Sequence, residues 1–403
     1  MNIYRSIKDE LTELWGGGKG KSLVVIASGW GVLLGARMVY PVLLPYLRES
    51  FGLSLTVAGL LVTVLWLGSA LGQLPGGILA DRYSERVVMT AGAVVVAAAL
   101  VVVTVAPTPL ALFLATGLVG LGQSLYPIAR ITILSETYPG RIGSALGVTM
   151  ATGDLGQTVF PPVAGVLAVA VAWQAGIGFL VPLLVLVGGL LWVVLPAQTP
   201  TESAMDTLSA GSARYVIGEL RRANMTFVAF ILFLYILVWQ SFTGFYPTYL
   251  VEQKGLASST AGLLFSVFFA FGVVVKPIAG AAYDRIGMRN ALVLVLVGPV
   301  AGLVLLPFVS GFVPLFAITA LVSTMLGSGA ITQSFLSDAI PDDIRGTGLG
   351  VVRTVAATLG ALGPVLFGAV ADRGYFDEGY LLLAVVLLAV VLLTLRLPRA
   401  AAS

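Results

Sequence analysis

Apolar runs of about 20–30 residues, broken by short stretches of charge, glycine and proline, fill nearly the whole chain. Twelve can be drawn: 22–47, 55–80, 87–106, 109–134, 142–171 and 173–195, then 224–250, 259–283, 290–309, 312–336, 346–371 and 379–397. A run of that length crosses roughly 30 Å of hydrocarbon as a tilted α-helix. Between the sixth and seventh lies the one long polar connection, 196–223, rich in Ser, Thr and Ala. The pattern predicts an all-α integral membrane protein with a tail at 1–21, six-helix bundles at 22–195 and 224–397, the linker at 196–223 and a second tail at 398–403. Ile3, Ile7, Leu11 and Leu14 recur at helical spacing in the first tail, and 214–222 reads as an amphipathic helix in the linker. Both fit segments lying on the membrane surface.

Composition narrows the chemistry. Hydrophobic residues make up 58% of the 403 and charged ones 10%, against about 25% charged in soluble proteins, so no polar shell can be built. Cysteine and histidine are both absent, which removes disulfides, thiolate nucleophiles, the commonest metal ligand and the usual neutral-pH base. With no clustered carboxylates in the spans and no phosphate-binding glycine loop, neither an enzyme nor a nucleotide-driven pump is indicated, and no cofactor or metal is expected.

The net charge of +3 needs no nucleic-acid partner, because the distribution of Lys and Arg is that of a membrane topology. With the N-terminus inside, the cytoplasmic segments hold fifteen, and the outside loops hold only Arg48, Lys254 and Arg373. Both termini are therefore expected in the cytoplasm, with an uncleaved first span in the cell membrane.

The spans also repeat as six plus six. A constant shift of 203 residues carries Tyr46-Leu47-x-Glu49 onto Tyr249-Leu250-x-Glu252, and Ala58-Gly59-Leu60-Leu61 onto Ala261-Gly262-Leu263-Leu264. It carries Gly77, Asp81, Arg82 and Arg86 onto Gly280, Asp284, Arg285 and Arg289, and Pro161 and Gly165 onto Pro364 and Gly368. Two six-helix halves of equal topology are related by an axis along the membrane normal. GGILADRYSER at 76–86 resembles the loop motif G-x-L-x-D-R-x-G-R-[KR] of the major facilitator superfamily, and AGAAYDRIGMRN at 279–290 resembles its second copy. Ser84 stands where the motif has glycine and Glu85 where it has a basic residue, while Gly287 keeps the glycine. The resemblance covers the whole chain and implies the twelve-helix fold of that superfamily, with helices 1, 4, 7 and 10 lining a central cavity, helped by 2, 5, 8 and 11.

Charges fall into two sets. Asp81, Arg82, Arg86, Glu136 and Arg141 lie at cytoplasmic helix ends of the first half, and Asp284, Arg285, Arg289, Asp338 and Arg345 at those of the second. The resemblance implies a latch that holds the outward-facing state; the plain reading is topology-setting surface charge. Inside the spans lie Arg37, Arg130, Asp154, Lys276 and Arg353, all on cavity-lining helices. Arg130 is close enough to its helix end to snorkel to the interface. Buried charges in lipid are costly and usually serve a cavity.

Four cations against one acid suit an anion, ideally a carboxylate. Arg37, Lys276 and Arg353 are the candidate binding cations, with Gln240, Tyr126 and Gln157 as polar neighbours. Lys276 with Arg353 resembles the pair of oxalate/formate-type exchangers, and Arg37 with Lys276 an arrangement in monocarboxylate carriers. Asp154 fits either a carrier of the coupling proton or a permanent ion-pair partner. The reading is a monomeric secondary transporter of a small organic anion, by proton coupling or exchange. Efflux of hydrophobic or cationic compounds is the alternative. Against it, Thr116 stands where drug/proton exchangers have an arginine, and Phe160 and Ala164 replace glycines of their helix-5 motif.

Overall fold

The computed structural model describes residues 15–16, 19–196, 223–339 and 345–396, with the side chains of Asp81, Asp338 and Arg345 among those left out. Most of the two expected tails and nearly all of the linker, with both of their amphipathic stretches, lie outside the described residues. Among the described residues no strand occurs.

Among the described residues, twelve helical rods follow one another. They are α1 Lys19–Phe51, α2 Leu55–Leu71 continued by Gln73–Tyr83, α3 Glu85–Thr104, and α4 Pro109–Ser124 continued by Tyr126–Thr137. Next come α5 Ile142–Ala170, α6 Trp173–Gly178 with Leu180–Val194, and α7 Ala223–Glu252. The helical run Ser258–Leu305 holds both α8 (258–286) and α9 (288–305), which part at Gly287. Last are α10, running from Phe312–Ser323 through a tight turn to Gly327–Ala339, α11 Arg345–Gly360 with Gly363–Ala371, and α12 Phe376–Thr394.

Local chemistry sets these ends. Ser54 and Thr108 accept the N–H groups of Val57 and Ala111 and so cap α2 and α4. The breaks in α2 and α4 face each other, because a β-carbon on Gly72 would fall 2.0 Å from Ser124 Oγ. At the motif turn Ser84 takes φ 106°, and its repeat counterpart Gly287 takes φ 74°, so both copies make the same left-handed turn.

Lipid inverts the usual burial. Val94, Leu110, Val185, Val193, Leu294 and Val297 are more than half exposed on α3, α4, α6 and α9, forming the hydrocarbon-facing surface. Helices then gain little from the hydrophobic effect and pack instead through small residues. A β-carbon on Gly156 of α5 would sit 2.0 Å from the Gly31 carbonyl of α1, so those backbones touch.

Two seams join the halves on the face opposite the termini. On the α5–α8 seam, Gly165 approaches the Ser258 carbonyl and Gly262 that of Pro161, at 3.1 and 3.3 Å from a built β-carbon. On the α2–α11 seam, Gly368 meets the Leu55 carbonyl and Gly59 that of Pro364, each at 2.3 Å. The shift of 203 residues turns one seam into the other. An ion pair of Arg48 with Glu252 joins the ends of α1 and α7 on the same face.

Candidate functional site

Between the seams and the termini face, three groups of charged side chains line the middle of the molecule. Arg37 sits on α1 with Nε donating to Gln123 Oε1 at 2.8 Å and Nη2 to Ser69 Oγ at 2.7 Å. Its guanidinium lies 4.6 Å from the Trp66 ring centroid, a cation–π contact. Trp66 in turn meets Trp239 of α7 edge-on at 5.1 Å, carrying the packing into the other half. Beside Trp239, Gln240 is buried and its Oε1 has no hydrogen-bond partner among the described residues.

Deeper toward the termini face, Lys276 Nζ of α8 meets Asp154 Oδ1 of α5 at 2.5 Å, an ion pair between the halves. Gln157, one turn along α5, donates to the same oxygen at 3.3 Å. Asp154 and Gln157 are buried, while Lys276 keeps part of its surface open. A carboxylate in this setting needs such a partner, and taking one member away strands the other.

The third group lies nearest the termini. Arg130 donates to Thr149 Oγ1 at 2.6 Å and lies 4.1 Å over the Trp30 ring. It is buried, with Trp30 and Thr149 holding the guanidinium inside rather than at the interface. Trp30 stacks on Tyr126, whose hydroxyl donates to the Ile26 carbonyl at 2.8 Å and so ties α4 to α1. Arg353 of α11 donates to Gln333 Oε1 of α10, its only hydrogen-bond partner among the described residues.

Of the residues singled out from the sequence, Asp154, Gln157 and Lys276 come together, while Arg37 and Arg353 occupy separate stations with polar neighbours. Ser69, Trp66, Trp30 and Thr149 escaped sequence reasoning. Trp66, Ser69 and Gln73 follow one stripe of α2 at helical spacing, which was a readable signal. At the termini face, Arg82 ends α2, Arg86 begins α3 over the Trp192 ring at 4.2 Å, Glu136 ends α4 and Arg141 precedes α5. Asp284, Arg285 and Arg289 flank the Gly287 turn, and Asp338 and Arg345 stand at the facing ends of α10 and α11.

Comparison with known proteins bears on the chain as a whole. The family model described as the Major Facilitator Superfamily matches residues 25–359 and 228–403. The hexuronate transporter of Bacillus subtilis (strain 168) is 25% identical over 84% of this chain and 84% of its own length. The probable sulfoacetate transporter SauU of Cupriavidus necator is 25% identical with the same coverage, 84% of each. Among solved structures, a bacterial homolog of the human lysosomal transporter Spinster, in an inward-facing and unoccupied conformation, superposes with a TM-score of 0.78 at 14% identity. That likeness covers 94% of this chain and 97% of that one.

Proposed function

Since the chain belongs to the major facilitator superfamily and is a multi-pass membrane transporter rather than an enzyme, we propose that it moves a small organic anion across the cell membrane by alternating access. The observation that carries this reading is the charge balance of the interior. Arg37, Arg130 and Arg353 have neutral hydrogen-bond partners among the described residues, and Lys276 alone is matched by a carboxylate. An unmatched cation in hydrocarbon costs about 2.5 kcal/mol or more, a cost met where it faces a wet path and receives an anion. Two relatives named for organic anions support the same class.

In this reading Arg37, Lys276 and Arg353 bind the anion in turn, with Gln157 and Gln240 as polar neighbours and Tyr126 bracing Trp30 beneath Arg130. The anion competes with Asp154 for Lys276, and the released carboxylate takes the coupling proton. The termini face is cytoplasmic, as the skew of Lys and Arg supports. When that face shuts, Asp81, Arg82, Arg86, Glu136 and Arg141 meet Asp284, Arg285, Arg289, Asp338 and Arg345 as the inner latch.

Purified protein in liposomes, offered labelled sugar acids, short carboxylates, sulfonates, nitrite and cationic dyes, tests the proposal. Saturable carboxylate or sulfonate uptake is expected. Movement of the dyes with none of the organic anions would turn the reading to efflux.

A further inference from the structure

The α2–α11 seam holds a contact that its twin lacks. Asp372 follows the last turn of α11, and its Oδ1 accepts the Leu55 N–H at 3.0 Å while Oδ2 accepts the Thr56 hydroxyl at 2.8 Å. Leu55 opens α2, so a carboxylate of one half sits on a helix N-terminus of the other, where free N–H groups and the helix dipole favour negative charge. Loss of water opposes the charge, but the side chains of Thr56 and Ser54 and the N–H groups of Leu55 and Thr56 outweigh it and hold the carboxyl below its usual range. A third bond, from the Val365 N–H to Thr63 Oγ1 at 3.3 Å, runs along the same seam.

On the α5–α8 seam the repeat puts Val169 where Asp372 stands, facing Ser258 in place of Leu55. Valine makes no such bond. That seam carries Lys276 and Asp154 deeper in, and their counterparts on α2–α11 are Gln73 and Ala357. Each seam therefore has one carboxylate lock, at a different depth and with a different partner.

We propose that Asp372 is the outer lock of the transport cycle, holding α2 against α11 while the inside is open and letting go when the outside opens. The inference rests on the reading of the chain as an alternating-access carrier with its termini inside. A lock of this kind must bias the equilibrium without freezing it. One charge-assisted hydrogen bond carries roughly a tenfold ratio, which meets both needs. Asp372 and the Arg48–Glu252 pair on the same face are both reached by solvent, and the ion pair, which must order two long side chains, is expected to weigh less.

The chain has no cysteine, so Ser50→Cys and Tyr375→Cys, at exposed positions in opposite halves, accept spin labels that report the outer gap alone. In liposomes without substrate, Asp372→Asn should raise the wide-gap population about tenfold relative to the labelled parent. Thr56→Val should move it the same way by less, and Arg48→Gln should leave it nearly unchanged. Unaltered distributions in both Asp372→Asn and Thr56→Val would overturn the proposal, as would a wide gap produced by Arg48→Gln alone. No substrate is added, so a failed lock leaves the anion reading standing and a wrong substrate class leaves the lock standing.

Discussion

Ser84 holds φ at 106°, where a β-carbon crowds the backbone, while its counterpart Gly287 takes 74° without strain. Such a residue stores on the order of 1–3 kcal/mol. Its side chain returns some of that by accepting the Val87 N–H at 3.5 Å, but replacing an N-cap serine by glycine costs only about a few tenths of a kcal/mol. Ser84→Gly should therefore stabilise the protein by roughly 1 kcal/mol, read as a higher midpoint of thermal unfolding in detergent. A lower midpoint would mean that the cap outweighs the strain. Arg37 belongs to the same scale. Gln123 and Ser69 take two of its five N–H groups, so both on Nη1 and one on Nη2 are left for a ligand among the described contacts. Arg37→Gln copies the Gln240 of the repeat and removes that charge-assisted bond, worth about 1.5–3 kcal/mol. The half-saturation constant for the anion should rise roughly ten- to hundredfold while the protein still folds. Normal uptake by both Arg37→Gln and Lys276→Gln would remove these cations from the site.

Helix pairs separate two jobs of glycine. Gly156 lets α5 touch α1 inside one half, whereas Gly59 lets α2 touch α11 between halves. Gly156→Ala must push backbones apart within a permanent contact and should cost about 1–3 kcal/mol of stability. Gly59→Ala strains only the state that is shut on the outer face, so it should widen the outer gap and leave thermal stability nearly unchanged. Spin-label distances and thermal unfolding on both variants check the pair. The sequence already held much of this: twelve spans, the shift of 203 and the residues Gly59, Pro161, Gly165, Gly262, Pro364 and Gly368, which turn out to be the two seams. They were legible because closely packed glycines recur with the repeat. The partners of Arg37 were not, since Ser69 and Gln123 stand 32 and 86 residues away and meet it only through the rotation of three helices. Asp372 was hidden for the same reason, 317 residues from the N–H it accepts.

At the scale of the whole molecule, the ion pair between the halves is where binding and charge meet in the proposed reading. The structure matches Lys276 with Asp154. In the proposed reading, a monovalent anion that takes Lys276 would leave the Asp154 carboxylate unpaired in a water-poor interior, where charge is costly, so a proton is proposed to accompany the anion. On that proposal one anion and one proton move together and no net charge moves. Uptake of a monoanion into liposomes should follow an imposed pH gradient, acid on the side of entry, and ignore membrane potential. A potential of 100 mV acts on each uncompensated charge with about 2.3 kcal/mol, so its influence is easily seen when present. Asp154→Asn removes the proton site while leaving an amide that fits the same space. That variant should lose the response to pH and still exchange labelled for unlabelled anion, because exchange needs no net proton movement. Uptake by the parent that is driven by potential alone, or an Asp154→Asn variant that keeps its full response to the pH gradient, would sink the coupling argument and leave Asp154 as a fixed partner of Lys276.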